Sequence, residues 1–195
     1  MHTFEKEFLE SAKKQFAYYK LLGDKCLERL NETQLQQVLN ANSNSMAMIV
    51  QHLYGNMMSR WTDFLTTDGE KETRNRDLEF ENLPQTKTSV LNMWNEGWSC
   101  LFHALGTLDG QSLSQLVYIR NQGHTVMEAI NRQLAHYPYH VGQMVFLAKV
   151  LSTSDWESLS IPKNASSAYN AEKFAKEKSK GHFTDEYLKG QKPTE

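Results

Sequence analysis

The spacing of large apolar residues constrains this chain more than any other feature, because it recurs at intervals of three or four in four separate stretches. Phe4, Phe8, Ala12, Phe16, Tyr19, Cys26 and Leu30 lie on one stripe, which predicts a first helix over about residues 3–30. Ile49, Leu53, Met57, Trp61 and Phe64 form a second stripe that opens at Ser45 and stops at the turn chemistry of Thr66, Thr67, Asp68 and Gly69. The third stripe, Leu91, Trp94, Trp98, Leu101 and Leu105, starts near Thr86 or Thr88 and ends before Gly106 and the Asp109-Gly110 turn. A fourth runs through Ile130, Leu134, Tyr137, Val141, Met144, Ala148 and Leu151, and Thr125 with Glu128 has the spacing of a capping box at its start. Four long amphipathic stretches with no comparable strand signal predict an all-α fold, a four-helix bundle.

The connections carry their own signals. Thr33 to Gln36 has capping-box spacing for one short helical turn before the polar loop NANSNS. Residues 68–85 are strongly charged and aperiodic, which predicts a long exposed link bearing Arg74 and Arg76. Between the third and fourth helices, Leu116 to Ile119 and His124 to Val126 flank turn residues in the pattern of a small hairpin. Beyond Trp156 and the Ser160-Ile161-Pro162 break the chain becomes polar and lysine-rich, so residues 1–160 are expected to form the bundle and 161–195 a C-terminal extension that lies over it or frays.

At 195 residues the chain suits one domain with its own core. A formal charge of −2 and a pI near 6.4 supply no overall basic field, so neither nucleic acid nor an anionic membrane is an expected partner. No apolar run reaches the roughly 18 residues of a membrane span, and the mean hydropathy is −0.61. Only two cysteines, Cys26 and Cys100, occur, both within helical apolar patterns and without a CxxC partner, and the start MHTFEKEFLE lacks the order of a signal peptide. These features predict buried thiols in a cytoplasmic protein.

Histidine supplies the chemistry. His136 and His140 stand four apart on the fourth helix, on one face and close enough to share a metal ion. They continue a stripe through Ala129, Gln133, Gln143 and Leu147 that adjoins the apolar positions. His52, beside Leu53 on the second helix, adds a third imidazole from a face that otherwise reads as core. Three neutral imidazoles with further positions left open describe a catalytic rather than a closed structural metal site. Pro138, between two of them, predicts a kink or bulge that would re-aim the side chains around it. His103 and His124 fall off these stripes and are left out of the site.

At these residues the chain resembles the DinB-like superfamily of metal-binding four-helix bundles, in which the second helix gives one histidine and the fourth an HxxxH pair. The likeness is carried by His52 in IVQHLYGNMMSRW and by His136 and His140 in HYPYHVGQM, and it extends through FLTTDGEKETRNRDLEF and WESLSIPKNAS, over roughly residues 3–170. It implies a divalent metal ion and a small-molecule substrate, and it is compatible with a homodimer. Relatives include S-transferases that use low-molecular-weight bacterial thiols, a mycothiol-dependent isomerase and proteins proposed as metal-dependent hydrolases. The leading expectation is therefore a metal-dependent thiol S-transferase. A hydrolase of amides or esters, and a stress-related binding or scaffold protein with a structural metal, stand as alternatives. Zinc is the first choice of ion and nickel the second, since imidazole accepts several first-row metals.

Around this centre, Asn56 one turn after His52, Arg60 on the same helix and Gln143 one turn after His140 are placed to contact substrate or support the ligands. Arg74, Arg76 and Arg120 could hold carboxylates by forked hydrogen bonds, although arginine in an acidic loop is more often a surface residue. Trp61 and Trp98 read as core aromatics.

Overall fold

A computed structural model describes residues 4–81, 83–153 and 155–190. Its long helices are α1 (Phe4–Arg29), α3 (Met46–Trp61), α4 (Lys87–Gly106) and α5 (Val126–Leu151). The short helix α2 (Glu32–Gln36) links the first two, and α6 (Ser166–Phe174) and α7 (Asp185–Leu188) lie in the C-terminal segment. Strands β1 (Leu116–Ile119) and β2 (Gln122–Thr125) form an antiparallel hairpin before α5, with Leu116 opposite Thr125 and Ile119 opposite Gln122. The protein is thus an all-α bundle with one small hairpin, and no described helix is long and apolar enough to cross a membrane.

Local chemistry sets the helix ends. Ser45, Thr86 and Thr125 each cap a helix by accepting the backbone N–H three residues on, which satisfies a donor the helix itself leaves free. Helix α3 stops at Trp61 rather than continuing to Phe64, because Asp63 adopts the left-handed φ of 47° and its carbonyl accepts from Thr66 and Thr67. The short helix α2 is capped by Asn31 with Gln34, two residues before the Thr33 position that the spacing indicated. Helix α5 runs on through Pro138 without a break or π-bulge, so the bulge expected there is absent.

Within the bundle, α3 packs on α4 and α5, and α1 packs on α5 and α4. Consecutive long helices α1 and α3 therefore sit across the diagonal, as do α4 and α5. The core centres on Phe16, Trp98 and Tyr137, whose rings meet pairwise with centroids 5.8–6.4 Å apart. Gly23 lets α1 approach α4, since a β-carbon there would lie 2.2 Å from the Trp94 ring.

The link after α3 is only in part the exposed connection that its charge predicts: residues 72, 73, 75–78, 81 and 85 are exposed, but others are anchored. Asp68 accepts from the backbone of Arg120 and Asn121 at 2.8 Å each, holding the two left-handed residues of the hairpin turn, and Gly69 N–H donates to the Tyr118 carbonyl. Further on, Glu79 is 6% exposed. The C-terminal segment returns to α1, where His182 meets Ser11 at 3.0 Å, Lys14 pairs with Asp185 at 2.6 Å, and Thr184 is fully buried. Residues 1–3 and 191–195, at the ends of the expected first helix and C-terminal extension, lie outside the described residues.

Candidate metal centre

Two facing stripes build the site. Helix α3 presents His52, Asn56 and Arg60 at intervals of four, and α5 presents Arg132, His136 and His140 at the same interval. Packing α3 against α5 brings the three histidines together, with the Nε2 atoms of His52 and His136 3.4 Å apart and those of His136 and His140 3.1 Å apart.

Behind each imidazole stands an oxygen. His52 Nδ1 lies 2.8 Å from Glu79 Oε2, His136 Nδ1 lies 3.2 Å from Gln133 Oε1, and His140 Nδ1 lies 2.9 Å from Gln143 Oε1. Carboxylate and amide oxygens only accept, so every Nδ1 carries the proton and donates it. Each Nε2 is left with a lone pair, and the three lone pairs converge where no proton lies between them. Such an arrangement could hold a metal ion. Ligand nitrogens at the roughly 2.0–2.1 Å typical of zinc subtend edges of about 3.3 Å in a tetrahedral site, and the two spacings above fit that value.

A proton on His136 or His140 is disfavoured as a substitute for a metal. Burial, reinforced by the neighbouring His140, His52, Arg74 and Arg60, pushes His136 down to about 3. Burial also lowers His140, with His52 adding to the effect and the bond to Gln143 opposing it. Burial alone would raise the Glu79 carboxyl, but hydrogen bonds from His52 and Arg74 hold it below the usual carboxylate range. Glu79 therefore stays ionised behind His52, the arrangement by which a carboxylate orients a metal-binding imidazole and raises its basicity.

Glu79 is itself held firmly. Arg74 donates to its two oxygens at 2.7 and 3.0 Å, and Arg74 also reaches Glu70 at 3.2 Å. The side chain of Arg74 is only 6% exposed, which corrects the expectation of a surface arginine. Gly55 makes room for the pair, since a β-carbon there would fall 2.3 Å from Glu79 Oε1. Phe80 stacks on His52 from the same segment, with centroids 5.4 Å apart.

Of the other residues singled out in the sequence, Gln143 contacts His140, while Asn56 accepts from Tyr137, whose hydroxyl in turn accepts from Trp61 Nε1. Asn56, Arg60, Arg76 and Arg120 all line the cavity above the histidines, which encloses about 580 Å³. Arg76 lies over the Phe80 ring. Trp61 and Trp98 belong to the core, and Cys26 and Cys100 are free thiols, Cys26 pushed by burial up to about 12 and so unreactive. His103 and His124 stand outside the cluster.

Sequence reasoning missed Glu79, Gln133 as the partner of His136, and Arg132. Gln133 and Arg132 could have been read from their spacing to His136. The trace of Glu79 was indirect: a glycine inside a helix costs about 1 kcal/mol relative to alanine, so Gly55 marked a close approach without saying by what.

A family model described as "Protein of unknown function (DUF1572)" matches residues 3–165. No curated protein and no solved structure matches the chain.

Proposed function

We propose that this chain, which belongs to the DUF1572 family, is a DinB-like metal-dependent S-transferase that joins a low-molecular-weight thiol to an electrophilic substrate. The observation that carries the reading is the convergence of three Nε2 lone pairs, each fixed by an acceptor behind it, at the floor of an open cavity. His52, His136 and His140 would hold one divalent ion, zinc first and nickel second. Bound there, such an ion supplies the positive charge that lets a thiol ionise near neutral pH.

The surrounding side chains favour thiol transfer over attack by water. Hydrolysis commonly enlists a carboxylate or histidine beside the metal as general base. Here Glu79 is committed to His52 and Arg74, and Glu70 lies within 3.2–3.9 Å of Arg74, Arg120 and Arg60. No other acid lines the cavity among the described residues. A thiol needs no such base, because its own acidity is within reach. In the reaction the S–H bond breaks and its proton passes to solvent through the open face. A sulfur–carbon bond then forms, and the leaving group departs with its electron pair.

The test is a coupled assay of zinc-loaded protein with small thiols and an alkylating electrophile. Turnover that requires thiol and is lost in His140→Ala supports the proposal. Thiol-independent cleavage of esters or amides would indicate the hydrolase instead. Folded, metal-loaded protein silent in both assays would leave the metal a structural tie between α3 and α5.

A further inference from the structure

The cavity over the three histidines is strongly cationic. Five arginines line it, Arg60, Arg74, Arg76, Arg120 and Arg132, against the single acid Glu70, with Glu79 just behind His52. Two carboxylates facing five guanidinium groups leave an excess of three positive charges, before any divalent ion is added. A low-dielectric cavity lined by one sign of charge concentrates ligands of the other sign.

The arginines are not equally engaged. Arg74 is committed to Glu79 and Glu70, and Arg76 to the face of Phe80. Arg60 differs. Its side chain is 6% exposed, and its Nε and Nη1 have no hydrogen-bond partner among the described residues, while Nη2 lies a distant 3.9 Å from Glu70. Buried guanidinium donors left unsatisfied are costly, and this group borders the cavity. Arg120 approaches Glu70 only at 3.6 Å with 63% of its side chain exposed, and Arg132 is exposed with no ion-pair partner among the described residues.

We infer that Arg60, Arg120 and Arg132 form an oxyanion-binding wall that takes a carboxylate or phosphate of the substrate and directs the reacting end toward His52, His136 and His140. Helical rise sets the length of that substrate. Arg132 precedes His136 by four residues and Arg60 follows His52 by eight, so the anion sits about 6–12 Å along the helices from the histidines. A small acidic molecule whose charged group lies several bonds from its reacting atom matches both this span and the cavity's 580 Å³. The direction of the substrate rests on the metal-centre reading, whereas the anion wall itself does not.

Calorimetric titration of zinc-loaded protein with inorganic phosphate, and separately with succinate, tests the inference. At least one probe should bind, with affinity falling about tenfold or more in Arg132→Gln and in Arg120→Asn and weakening as salt is raised. Both residues are exposed, and asparagine tolerates the left-handed backbone of position 120. Binding of phosphate alone or succinate alone identifies which oxyanion the wall prefers. The same titrations on His140→Ala protein stripped of metal separate the two readings, because arginine-dependent binding there sustains the wall whatever the fate of the metal centre. Failure of both probes to bind wild type, or binding that disappears with the metal and is indifferent to both arginine substitutions, overturns the inference.

Discussion

Replacing Glu79 with glutamine keeps the shape of the side chain and removes the charge that faces both His52 Nδ1 and Arg74. Because partners behind metal-binding imidazoles commonly contribute ten- to hundredfold to affinity, Glu79→Gln is expected to weaken zinc by about that factor in competition with a chromophoric chelator. Equal affinity would show that Glu79 serves Arg74 alone. Gly55→Ala is a sharper probe, since it should favour helix α3 by about 1 kcal/mol while placing a methyl 2.3 Å from Glu79 Oε1. Weaker zinc binding in an otherwise folded protein is the expected result, and an unchanged affinity would mean that Glu79 shifts without consequence. The histidines were legible because His136 and His140 share a helical face and His52 interrupts a core stripe. Glu79 was not, since it reaches the site through a loop whose path depends on tertiary contacts.

Among the elements, the hairpin and the loop after α3 hold one another through Asp68. Burial opposes ionisation of this carboxyl, but backbone N–H groups of Asn121, Glu70 and Arg120 lower it below its ordinary value of 3.8. A group depressed on folding contributes stability above the unfolded value, and that contribution is lost as pH falls through the folded one. Asp68→Asn should therefore reduce the urea midpoint at neutral pH and show a flatter decline than wild type below about pH 4. Parallel curves would show that the clamp contributes nothing. The hairpin was visible in the sequence from its β-branched residues and turn, and the helix starts from Ser45, Thr86 and Thr125. Apolar periodicity carried on to Phe64, yet α3 ends at Trp61, because a buried aromatic can pack from a turn as well as from a helix. Arg74 departs from its expected exposure for a related reason: charge density marks a segment as polar but does not reveal which of its charges are paired and buried.

For the whole molecule, periodicity marked most of the residues that face inward, with Phe4 an exception at 71% exposed, and so the helical bundle, but not which helices become neighbours. The diagonal placement of α1 and α3 follows from packing across the bundle, which no stripe encodes. A metal held by His52 on one helix and His136 and His140 on another would join segments 84 residues apart in the chain, and binding only the folded state would raise stability through mass action. Elemental mass spectrometry of untagged protein, with thermal unfolding of the same samples, tests that claim directly. About one divalent metal per chain is expected in wild type, with its loss in His136→Ala and a lower unfolding temperature once wild type is stripped by chelator. Well-folded wild type that takes up no metal after incubation with zinc or nickel would contradict it.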